Sequence, residues 1–119
     1  MKKTTYLIVL LFSMQFVLAQ SDSDYQNAIA IVSDGYNSNN AQKIFDAFSA
    51  DLQSSFTLDK VKTFISKNQS TKGTMGESSF LLDDNGSKRY LTEFENASSI
   101  LIIKLTADNK INQLALEEY

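Results

Sequence analysis

Residues 74–117 read TMGESSFLLDDNGSKRYLTEFENASSILIIKLTADNKINQLALE. Three turn signals divide this stretch into four segments: Asp84-Asn85-Gly86, Asn96-Ala97 and Ala107-Asp108-Asn109-Lys110. Asn-Gly accepts the positive φ values of a type I′ turn, whose twist matches that of paired strands. Strands are therefore predicted at about residues 74–83, 87–95, 98–106 and 111–117. Their short connections make each one antiparallel to the last. In the second, Tyr90, Thr92 and Phe94 share one face, while Arg89, Leu91, Glu93 and Glu95 share the other. Ile100-Leu101-Ile102-Ile103 is apolar on both faces, as suits a strand central to a sheet. The fourth segment loses its alternation after Ile111, which predicts a bulge there.

Before Gly73 the apolar period is helical. Ser21-Asp22-Ser23-Asp24 offers side-chain oxygens to free N–H groups and acidic charge to the positive end of a helix dipole. Tyr25, Ala28, Ile29, Val32 and Tyr36 then form one stripe. Gly35 weakens the end of this helix, and Asn37-Ser38-Asn39-Asn40 stops it. A second short helix from about Ala41 carries Ile44, Phe45 and Phe48 on one face. Residues 51–56 read as a turn or broken helical piece pointing Leu52 and Phe56 inward. Thr57 caps a third helix whose stripe is Leu58, Val61, Phe64 and Ile65. The prediction is an α+β domain, three N-terminal helices packed on a curved four-stranded antiparallel meander. Which face of the third strand meets the helices stays open.

Upstream lies MKKTTYLIVLLFSMQFVLAQ, residues 1–20. Lys2 and Lys3 form a basic start, residues 6–17 are mostly apolar, and Val17-Leu18-Ala19 suits a cleavage before Gln20. The apolar run falls short of the about 20 residues that a bilayer crossing needs. The expectation is a signal peptide over 1–19, a single domain over 20–119, and export to the periplasm or the extracellular space. No membrane span is expected after cleavage. No cysteine follows the cut, which excludes a lipobox anchor.

Losing Lys2 and Lys3 takes the formal charge from −3 to −5. The remaining basic residues are scattered, with Lys88-Arg89 the one adjacent pair, so nucleic-acid binding is not expected. The chain has no histidine, cysteine or proline. Ser-His-Asp and Cys-His catalysis, and the usual zinc and copper sites, need residues it lacks. Neither a cofactor nor a metal is expected, and the chain reads as a non-enzyme.

Candidate chemistry is sparse. Glu93 and Glu95, two apart on a strand, would place both carboxylates on one face, as acid–base work requires; a solvated strand face, with pairing to Arg89 or Lys104 across the sheet, is the preferred reading of them. Asp83-Asp84-Asn85-Gly86 is a turn rather than a calcium loop, since Leu81 and Thr92 occupy the end ligand positions. Tyr36, Phe48, Phe64, Tyr90 and Phe94 are the candidate ligand-binding residues, because aromatics between helices and sheet can line a cavity. The same spacing is what a packed core requires.

Residues 40–64, NAQKIFDAFSADLQSSFTLDKVKTF, together with YLTEFENA at 90–97 and LIIKLTADNKINQL at 101–114, carry a family likeness. Here the chain resembles a small family of secreted bacterial domains of unknown function with the nuclear-transport-factor-2-like, or cystatin-like, fold. Members of that family occur alone or ahead of serine-hydrolase domains. The likeness rests on packing positions, so no functional residue carries over, and fold alone does not license a function. The leading expectation is a non-enzymatic secreted binding module for a small molecule, a peptide or a partner protein. The alternatives are a carboxylate-based pocket enzyme, and an accessory domain for a separately supplied serine hydrolase that dimerises through the sheet face bearing Leu91.

Overall fold

Among the described residues four helices precede the sheet, one more than the sequence predicts for the domain. The computed structural model describes residues 21–119, so the expected signal peptide lies outside the described residues. Helix α1 (Asp22–Asn37) opens on a capping box in which Ser21 Oγ accepts from the Asp24 N–H and the Asp24 carboxylate accepts from the Ser21 N–H. It buries the predicted stripe of Tyr25, Ala28, Ile29, Val32 and Tyr36. Asn39, at φ 56°, turns the chain, and the Asn40 side chain caps α2 (Ala41–Asp46).

The extra helix is α3 (Ala50–Ser55), where the sequence suggests a broken piece. Ser49 Oγ accepts from the Leu52 N–H and so starts a new helix. No residue of α3 is fully buried, which is why its apolar pattern is faint. Helix α4 (Leu58–Lys72) begins at the Thr57 cap and ends at Gly73, whose φ of 81° is easy only for glycine.

Gly35 does more than loosen the end of α1. An added Cβ there would lie 2.6 Å from Ile44 Cγ1 and 2.9 Å from the Asn40 carbonyl oxygen. Its missing side chain lets α2 approach α1.

The sheet runs in the order β1-β2-β3-β4, each neighbouring pair antiparallel: β1 (Met75–Asp84), β2 (Ser87–Phe94), β3 (Ser98–Leu105) and β4 (Ile111–Glu118). Asn85 at φ 53° and Gly86 at φ 89° fit the type I′ turn. Lys104 pairs with Gln113 but Leu105 with Ile111, so Asn112 is the extra residue of the predicted bulge. Strand β1 is also irregular, with register shifts between Met75 and Ser78 and between Phe80 and Leu82.

One sheet face meets the helices. It carries Tyr90, Thr92 and Phe94 from β2, Leu101 and Ile103 from β3, and Leu114 from β4. Leu101 and Ile103 are wholly buried, each contributing about 1.5–3 kcal/mol through burial. Side chains from the helices then fix where β1 begins. Asn37 Nδ2 donates to the Met75 carbonyl at 2.9 Å while its Oδ1 accepts from the Met75 N–H at 2.9 Å. Tyr36 Oη donates to the Gly73 carbonyl at 2.8 Å, and Gln69 Nε2 donates to that of Tyr36 at 2.6 Å. Among the described residues no helix is long and apolar enough to cross a membrane.

Candidate functional site

The aromatic residues singled out by the sequence sit in the core, in three groups. Tyr36 and Phe94 meet edge to face, 5.7 Å between ring centroids. Phe48 and Phe64 flank Phe56 at 5.3 and 5.8 Å. Tyr90 packs against Phe80 at 5.7 Å. Tyr36, Phe48, Tyr90 and Phe94 are buried against other core side chains, and Phe64 is half-buried. Burial pushes the phenols of Tyr36 and Tyr90 up to about 12, the latter helped by the negative charges of Asp22 and Asp83.

The hollows are at the surface. One of about 440 Å³ touches Ile31, Asp34 and Lys43 on the outside of α1 and α2. A smaller one of about 190 Å³ lies between α1 and the β3–β4 turn, against Ala28, Ile31, Asn109 and Ile111. A third of about 410 Å³ runs between α4 and β4, past Lys60, Phe64, Lys67, Leu114 and Leu116. Of the five candidate ligand-binding aromatics, Phe64 alone lines any of these three.

Glu93 and Glu95 do not share a site. Strand β2 ends at Phe94, and both carboxylates are exposed. Glu93 Oε2 accepts from Ser98 Oγ at 2.7 Å, whereas Glu95 turns back to the Thr74 N–H beside Gly73. Neither lines any of the three hollows. At the β1–β2 turn Asp83 and Asp84 pair with Lys88 and Arg89 instead of converging on a cation. Among the described residues no group of three or more acidic, histidine or cysteine side chains is placed to hold a metal ion.

The face turned away from the helices carries Leu91, Ile100, Ile102 and Ala115. Ile102 is only 5% exposed although it lies on the face away from the described helices. Arg89, its register partner on β2, donates to Asp84 Oδ2 at 3.0 Å and to Glu117 Oε1 on β4 at 2.8 Å. The Arg89–Glu117 contact thus crosses β3 on this face, where the aliphatic stem of Arg89 can cover Ile102. These hydrogen bonds, the one to Glu117 foremost, raise the guanidinium pKa above its ordinary value.

The feature that the sequence reading passed over is Phe80-Leu81-Leu82 on β1. These residues are 51%, 43% and 49% exposed, on a strand whose outer side pairs with no other strand among the described residues. The signal was present as three consecutive apolar residues between Ser78-Ser79 and Asp83-Asp84. Lys88 Nζ lies 5.1 Å from the ring centroids of both Tyr25 and Phe80 and so caps one end of the patch.

Fold and surface together define a small α+β domain with a packed aromatic core and an exposed apolar sheet edge. No family model, curated protein or solved structure matches this chain.

Proposed function

We propose that this chain is an exported, non-catalytic binding module of the nuclear-transport-factor-2-like type that docks a partner protein on β1 and the adjoining outer sheet face. The observation that carries the reading is the exposure of Phe80, Leu81 and Leu82 together on an edge strand. Exposed apolar edge strands promote pairing with other chains. The burial of the candidate aromatics favours a protein partner over a small molecule held between helices and sheet. The separate engagements of Glu93 and Glu95 weigh against a carboxylate-based enzyme.

The test is native mass spectrometry of the protein recovered from its own host, as wild type and as Leu81→Lys/Leu82→Glu. A stoichiometric protein complex present in the wild type and absent from the variant is the expected result. A homodimer abolished by the same variant would transfer the reading to the self-associating accessory domain. Bare monomer in both, or a small molecule retained by both, would sink the docking reading.

A further inference from the structure

Strand β4 is the other edge of the sheet, and the fold already adds extended backbone to one end of it. Phe48 bridges Ile111 in parallel: the Ser49 N–H donates to the Ile111 carbonyl at 2.8 Å, and the Ile111 N–H donates to that of Ala47 at 2.8 Å. This added strand stops after one bridge, because Ser49 caps α3 and the chain turns into a helix. Among the described residues no further backbone hydrogen bond reaches the outer edge of β4. Alongside that edge runs the hollow of about 410 Å³ between β4 and α4.

The lining of the hollow is chemically specific. Phe64, Leu114 and Leu116 form an apolar floor, while Lys60 and Lys67, two turns apart on α4, stand along its side. Helix α4 carries Lys60, Lys62, Lys67 and Lys72 against a single acid, Asp59, in a chain whose net charge is −3. Lys60 donates to the Ser55 carbonyl, and among the described residues Lys60, Lys62 and Lys67 form no ion pair. The acids at the end of β4 are already engaged, Glu117 by Arg89 and Glu118 by Lys72.

Unpaired strand backbone, an apolar floor and uncompensated lysines in one groove are the components of peptide capture by strand addition. We propose that the β4–α4 groove binds an extended acidic peptide segment of a partner protein. Its backbone adds to β4 beyond Ile111, alternate apolar side chains rest on Phe64, Leu114 and Leu116, and its carboxylates meet Lys60 and Lys67. This surface is separate from the β1 edge, and its test does not depend on that docking reading.

Fluorescence anisotropy with labelled Glu-Val-Glu-Val-Glu-Val-Glu, and with the same peptide carrying Lys for Glu, provides the affinity. Amide NMR on the exported protein provides the location. The acidic peptide should bind, weaken at raised salt, and perturb amides of residues 113–118 together with α4. Lys60→Glu/Lys67→Glu, both at exposed positions, should cost about tenfold in affinity. Lys43→Glu, on the far hollow, should leave it unchanged. The proposal is overturned by absence of binding, equal binding of the lysine peptide, indifference to the double reversal, or perturbations confined to α4.

Discussion

Arg89 on β2 reaches Glu117 on β4 at 2.8 Å across β3, on the face where its register partner Ile102 is buried under none of the described helices. Two separable effects meet in this contact, an exposed ion pair and an aliphatic cover. Exposed pairs contribute little and are screened by salt, whereas the cover acts through burial. Arg89→Ala should therefore lower the urea midpoint more than Arg89→Met, which keeps the cover and loses the charge. Comparing the two variants at low and at 1 M salt separates the effects. Equal midpoints for the two would mean that Ile102 owes nothing to the Arg89 stem.

Gly35→Ala should destabilise the protein even though alanine is the better helix former by about 1 kcal/mol. The new methyl would meet both the Ile44 side chain and the Asn40 carbonyl, and a backbone atom cannot move aside cheaply. A net loss of about 1–3 kcal/mol, typical of overpacking, is the expected outcome in urea denaturation. A gain in stability would show that α2 can shift away from α1 freely.

Ser99 is wholly buried, and its Oγ has no hydrogen-bond partner among the described residues. Burying an unpaired hydroxyl costs more than burying a methyl. Ser99→Ala should thus raise stability by about 1 kcal/mol, read as a higher midpoint with an unchanged m-value. A loss of similar size would reveal a hydrogen bond that the hydroxyl makes in solution.

Alkali should unfold the protein through Tyr36 and Tyr90. Both phenols are raised from 10.0 to about 12 by burial, so the unfolded chain releases their protons first. Their contribution to stability is complete below about pH 10, declines as the pH rises, and is gone above about pH 12. Urea midpoints measured across this window should fall, less steeply in Tyr36→Phe. A flat profile between pH 10 and 12 would contradict the assigned burial of the phenol groups.

Much of the fold was legible because its signals are local. The Asn85-Gly86 turn, the Ser21 and Thr57 caps, and the stripe from Tyr25 to Tyr36 depend on residues within a few positions of each other. The bulge at Asn112 announced itself as a break in alternation. Helix α3 escaped because Ser49 starts it while Phe48 is drawn into a bridge with Ile111, far along the chain. The candidate site was less legible. Period-two spacing put Glu93 and Glu95 on one face, but β2 ends between them and they find different partners.

The sequence by itself determined the order of elements apart from α3, the antiparallel meander and the apolar set from which the core is drawn, because periodicity, capping and turn chemistry act over short separations. Having no histidine or cysteine, it also offers no residues for Ser-His-Asp or Cys-His catalysis. Only the tertiary structure decided that Leu101 and Ile103 face the helices while Ile102 faces Arg89, and that β1 and β4 are the sheet edges. It alone left Phe80, Leu81 and Leu82 exposed and opened a groove beside Lys60 and Lys67. Exposure is set by what packs across a residue in space, and for these positions the covering element is, or would have been, distant in the chain.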